Sequence, residues 1–256
     1  MQNPRNIPAE ASPSPRRWTA GRARLHEPHL SVLSIPAPAT SATSATAGAP
    51  AFAPGSRKLA APGRPVDRAT LAHHLAVLPL PARTLALVTG NAPGELPADA
   101  ALVRWVAVRL RALSARLIVG EVSDNIFRQE ATGLASLGSD PAPAGEEMLV
   151  GLAAAARRLA TWRLVPVPAV AAFQSSLVGL SGTGAPMATS RALADAVRGG
   201  FPAHVASLVE ILGDSEAEDG ALREATLRLT GGGTRPGADI LAGVVAIVRD
   251  VALGPL

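Results

Sequence analysis

From residue 97 onward, apolar positions recur three and four residues apart, and several of the runs begin at a residue able to cap a helix. Asp99 can cap a helix whose stripe is Leu102, Val103, Val106, Leu110, Leu113 and Leu117. Ser123 can cap a second, carrying Ile126 and Phe127. The same spacing predicts helices over 146–161, 188–198, from Phe201-Pro202 to Leu212, over 219–229, and from the loop 230–237 to about Val251. A further apolar segment, 164–178, is interrupted by Pro166 and Pro168. Before residue 97 the pattern differs. His29–Ile35 alternates and predicts a strand. A short helix is expected over 67–78. Thr84–Thr89 predicts a second strand, ended by Gly90-Asn91 and Pro93-Gly94. The tract 36–66 is a low-complexity run of Ala, Pro, Ser, Thr and Gly, and reads as a linker. Residues 1–28 are rich in Pro, Arg and Ser without period, and read as a disordered arm. The fold class expected is therefore α+β. It has a small β-containing region over 29–96 and a mainly α-helical domain over 97–256.

Within the helical part the chain repeats itself. Residues 143–152 read P-A-G-E-E-M-L-V-G-L and residues 236–244 read P-G-A-D-I-L-A-G-V. Gly145 aligns with Gly237, Glu147 with Asp239, Leu149 with Leu241 and Gly151 with Gly243. Each copy is a Gly/Pro-rich loop, a carboxylate two residues past a Gly, and a long apolar stretch. That is a turn feeding the start of a buried helix. A helix start leaves backbone N–H groups unpaired and carries partial positive charge. A Gly-rich loop before it lets a ligand approach the backbone. The carboxylate can accept N–H bonds from a neutral urea-like or amide-like group, or hold a cation such as Mg²⁺. The second Gly of each copy would let another helix pass closely, so the two helices could cross near their starts. An acid in a first helical turn is also an ordinary dipole partner, worth about 0.3–1 kcal/mol.

Composition narrows the classes. Hydrophobic residues make up 48% of the 256, but aromatics only 3% with no Tyr, so the core is built from Ala, Leu and Val. That favours close-packed helices over an aromatic-rich sandwich. Zero Cys removes disulfides, thiolate nucleophiles and Cys-ligated metals. Lys+Arg is 24 against Asp+Glu 20, and the excess is concentrated in the first 70 residues. No aromatic platform is interleaved with those arginines, which disfavours nucleic acid as the partner. No apolar signal region follows the start and no 18-residue uncharged apolar run occurs. The expectation is a cytoplasmic protein with no membrane span.

Other candidates carry less. Arg235 could meet a carboxylate or phosphate in a bidentate fork. Thr189 and Ser190 could donate to an anion or simply cap their helix. His73-His74 lacks a metal-spaced partner. No Walker loop, nucleophile elbow, H-E-x-x-H or dinucleotide fingerprint is present.

At the repeated motifs the chain resembles the domain family that includes the AllH-type subunit of oxamate carbamoyltransferase, from anaerobic allantoin breakdown. That family carries a loop L-G-x-G-L-T-P-S-G-D-D-F-L-x-G, which Leu137 to Gly151 follows in register. Thr189-Ser190 resembles its T-S-rich helix start, and Gly233 to Gly243 resembles its G-H-T-S-G-A-D-x-L-x-G motif. The resemblance covers roughly residues 84–252. Ala142 and Ala144 stand where the family has Thr and Ser, Asp140 where it has Gly, Glu146-Glu147 where it has paired Asp, and Arg235-Pro236 where Thr-Ser is usual. The resemblance implies a carbamoyltransferase subunit acting within a hetero-subunit complex on a small anionic or ureido ligand. Glu146, Glu147 and Asp239 would be the catalytic, ligand-orienting acids. Gly138, Gly145, Gly233, Gly237, Arg235, Thr189 and Ser190 would line the ligand. No cofactor is expected beyond a Mg²⁺ ion that the acids could hold. The alternative is a non-catalytic scaffold or binding subunit with a degenerate site.

Overall fold

A computed structural model describes Ser56–Lys58 and residues 66–91, 100–137, 144–178, 180, 187–231 and 235–254. These residues are mostly helical. The elements run β1 (Ser56–Lys58), α1 (Arg68–Val77), α2 (Ala82–Thr89), α3 (Ala100–Val119), α4 (Asp124–Ala135), α5 (Gly145–Thr161), α6 (Val167–Ser176), α7 (Met187–Val197), β2 (Gly200–Pro202), α8 (Ala203–Leu212), α9 (Asp219–Thr230) and α10 (Arg235–Leu253). The two strands form a short antiparallel ribbon, Arg57 opposite Phe201.

Helices α5 and α10 cross at the centre. Residues 145–156 of α5 and 237–248 of α10 are buried without a break. A helix apolar on every face has to lie inside, and the L-A-A-A-A run of α5 keeps its girth small enough for neighbours all round. Helices α4, α6, α7 and α8 pack on α5, while α1, α2, α3 and α9 pack on α10. The outer helices are one-faced. On α3 the inward residues are Val103, Val106, Ala107, Leu110, Leu113, Ser114 and Leu117, close to the stripe its sequence predicts. Prolines 166 and 168 sit at the mouth of α6, where a missing N–H costs no helix bond.

Three stretches depart from the expectation. Ser56–Lys58 is a strand inside the expected linker, and Gly200–Pro202 is a strand where Phe201-Pro202 is expected to open a helix. Thr84–Thr89 belongs to helix α2, not a strand. The alternation was carried by Leu85 and Leu87, which would share a strand face. Instead Leu85 is 49% exposed while Leu87 is buried. The inward set is Thr84, Ala86, Leu87 and Val88, a helical set. Gly90 closes the helix at φ 77°, its N–H donating to the Ala86 carbonyl at 2.8 Å. The expected strand His29–Ile35 and the arm 1–28 lie outside the described residues, as does most of the tract 36–66.

Candidate functional site

The two repeated loop–helix starts meet. Asp239 on α10 accepts the backbone N–H of Ala144, the residue before α5, at 2.8 Å. Ala144 has no side chain to cap its own helix, so the acid of the other unit reaches across. Helix α10 begins at Arg235, two residues earlier than α5 by alignment, which puts Asp239 past its own first turn. It serves the start of α5 rather than its own.

Asp239 also grips an arginine that sequence reasoning did not single out. Arg83 of α2 donates from Nε to Oδ1 at 2.7 Å and from Nη2 to Oδ2 at 3.0 Å, a two-pronged fork. The Asp239 side chain is 1% exposed and that of Arg83 19%. The bond to Asp239 raises the Arg83 pKa above its ordinary value against the opposing effect of burial, and the charges of Asp239 and Glu147 add to the rise. The guanidinium therefore stays charged. The next residue, Thr84, donates its hydroxyl to the Ala238 carbonyl at 2.9 Å, so α2 is stitched to α10 at two adjacent positions. Nothing local in the sequence pairs Arg83 with a carboxylate 156 positions away.

Glu146 and Glu147 lie in the first turn of α5, both buried. Dipole attraction at a helix start favours them there. The glycines of the motif are explained by backbone contact. A Cβ on Gly151 would stand 2.0 Å from the Ile240 carbonyl oxygen, and one on Gly243 would stand 2.0 Å from that of Met148. A Cβ on Gly145 would meet the Leu134 oxygen at 1.7 Å, and one on Gly237 the Leu229 oxygen at 2.0 Å. Side chains are excluded at all four positions because backbone fills the space. The close crossing anticipated from Gly151 and Gly243 is thus present.

Thr189 and Ser190 fall in the first turn of α7, a helix that packs on α5, and Arg235 is the first residue of α10. Gly138 and Gly233 lie outside the described residues. Among the described residues, no group of three or more His, Asp or Glu could hold a metal ion. Nor is any helix long and apolar enough to cross a membrane. The acids and the guanidinium can together accept and donate hydrogen bonds to a planar polar group and balance its charge.

Comparison with protein-family models, curated proteins and solved structures finds no match.

Proposed function

We propose that the start of α5 is the binding site for a small anionic or ureido ligand, in a subunit resembling that of oxamate carbamoyltransferase. The observation that carries this reading is the meeting of two helix starts around a charged Arg83, with Glu146 and Glu147 buried in the first turn of α5. Carboxylates accept the N–H groups of a carbamoyl or ureido ligand, and the positive helix end with the guanidinium attracts its anionic end. The contribution to chemistry is positioning and charge stabilisation within a larger, cytoplasmic hetero-subunit assembly. Asp239, whose two oxygens hold Arg83 and the Ala144 N–H, orients the site rather than the ligand.

The test is thermal unfolding of the purified protein with carbamoyl phosphate, oxamate, phosphate and Mg²⁺ in separate arms. A ligand at about 100 times its Kd adds about 2.7 kcal/mol. A midpoint rise lost in Glu147→Gln supports the site. A second reading, a non-catalytic scaffold, is favoured by the internal engagement of Asp239. Its mark is the absence of any shift together with co-purification of a large partner.

A further inference from the structure

We infer that the described helices are an internal duplication, α1–α5 and α6–α10, related by a two-fold axis between α5 and α10 and interlocked as two subunits of a dimer would be. The repeated loop–helix motif is one part of a longer correspondence. Its signature is a swap that most of the packed pairs obey, with α2 on α3, α3 on α6 and α6 on α7 as the exceptions. Helix α10 carries α1, α2 and α3, and α5 carries their counterparts α6, α7 and α8. Helix α1 touches α9 as α6 touches α4. The close contacts are reciprocal to the residue. Gly151 abuts Ile240 and Gly243 abuts Met148, and these four form two aligned pairs. Gly145 abuts Leu134 and Gly237 abuts Leu229, which also align. Helices α5 and α10 end at aligned positions, Thr161 and Leu253.

The side-chain pattern extends the match. On α4, Phe127, Ala131, Leu134 and Ala135 are buried, and in register on α9 so are Leu222, Thr226, Leu229 and Thr230. Arg128 and Arg223 align between them. On α2, A-R-T-L-A-L (82–87) matches A-T-S-R-A-L (188–193) on α7, with Leu87 and Leu193 both buried. A self-complementary contact, in which position i of one half meets j of the other and j meets i, is what two-fold association produces. Within its own half each last helix is packed by one helix, α4 on α5 and α9 on α10, and the other half supplies three more, so the two are one cooperative unit. The symmetry breaks at the site. The counterparts of Arg83 and Ala144 are Thr189 and Pro236, and Pro236 has no N–H to give.

The reading is tested by circular permutation of the full chain. Leu256 is joined to Met1 and the chain is opened in the turn 162–166, giving the order α6–α10 then α1–α5. A two-fold pair is indifferent to that order. A single cooperative melt within about 5 °C of the wild type is expected, a shift on the order of 1–2 kcal/mol for this size. A second permutant, opened inside a half between α3 and α4, should melt lower. The inference is overturned by two separate transitions, or by the junction permutant melting below the internal one. Should permuted chains fail to accumulate, the unpermuted chain gives a second measurement. The absence of native cysteine makes Arg68→Cys with Leu253→Cys a clean labelling pair. Their counterparts, Val167 and Thr161, are joined by a short turn that spans at most about 20 Å. A thiol cross-linker of that reach should close the pair, and failure to do so overturns the duplication.

Discussion

Replacing Gly151 with alanine sets two effects against each other. Alanine is preferred over glycine inside a helix by about 1 kcal/mol. Against this, the new methyl would stand 2.0 Å from the Ile240 oxygen, 2.9 Å from its carbon and 3.2 Å from the Val244 nitrogen. An ordinary carbon–oxygen contact needs about 3.3 Å, so α5 and α10 must part by roughly 1.3 Å. The obstacle is the backbone of a buried helix, which cannot swing aside like a side-chain tip. Overpacking of this kind costs about 1–3 kcal/mol and occasionally more, and here the upper end applies. Sterics win, for a net loss of about 2 kcal/mol. For a chain of this size that lowers the midpoint by about 4–8 °C. The internal standard is Gly220→Ala on α9. Nothing lies within 4 Å of a Cβ there, so only the helix preference acts. That variant should rise by about 2–4 °C. The assay is circular dichroism melting of both variants beside the wild type. If Gly151→Ala melts at or above the wild type and tracks Gly220→Ala, the close crossing of α5 and α10 is refuted.

Three further outcomes follow from the same geometry. Arg83→Met leaves the Asp239 carboxylate buried without its fork and should cost about 3–5 kcal/mol, while Arg83→Met with Asp239→Leu should recover much of that in urea titrations. Burial lowers the pKa of His204 below the ordinary 6.5, so the unfolded chain binds more protons there. Stability from this group is therefore intact above pH 6.5 and falls as pH drops through the folded value, which His204 ring titration by NMR and its loss in His204→Gln would check. Glu146→Ala should melt within about 1 kcal/mol of the wild type yet abolish any ligand-induced rise.

The helical part was largely legible because its signals are local. The α3 stripe, the prolines opening α6 and the Gly–acid–Gly spacing of the repeat each lie within a few turns of chain. The crossing of α5 and α10 was legible too, because glycines at matched places in two buried helices leave few other uses. What failed was non-local. Thr84–Thr89 alternates on paper, but alternation over six residues does not separate strand from helix when Ala and Leu compose it. Packing against α10 decides the matter, and Gly90 supplies the stop. Arg83 was missed since an isolated arginine reads as a solvated surface charge. Its role exists only once α2 is laid on α10. His74 was set aside for want of a metal-spaced neighbour, and the structure gives it another task. Its buried ring nitrogen Nδ1 lies 2.9 Å from the Leu212 carbonyl oxygen and ties α1 to the end of α8.

The duplicated motif also serves as its own control on which parts of the site the fold requires. Glycines occupy both copies of the crossing positions, and in both a Cβ would strike backbone. They belong to the architecture. The acids behave differently. Position 147 is matched by Asp239, but position 146 is matched by Ala238, which is equally buried. At the aligned position of α10, two residues deeper in its helix, the fold therefore accepts a methyl group where α5 carries a carboxylate. A helix dipole returns only about 0.3–1 kcal/mol to an acid at such a position. The close crossing of α5 and α10 thus does not itself demand an acid at 146, whereas the proposed ligand site would. A Glu146→Ala variant that loses cooperative folding would show that the acid is architectural after all, and would remove the asymmetry on which the proposed site depends.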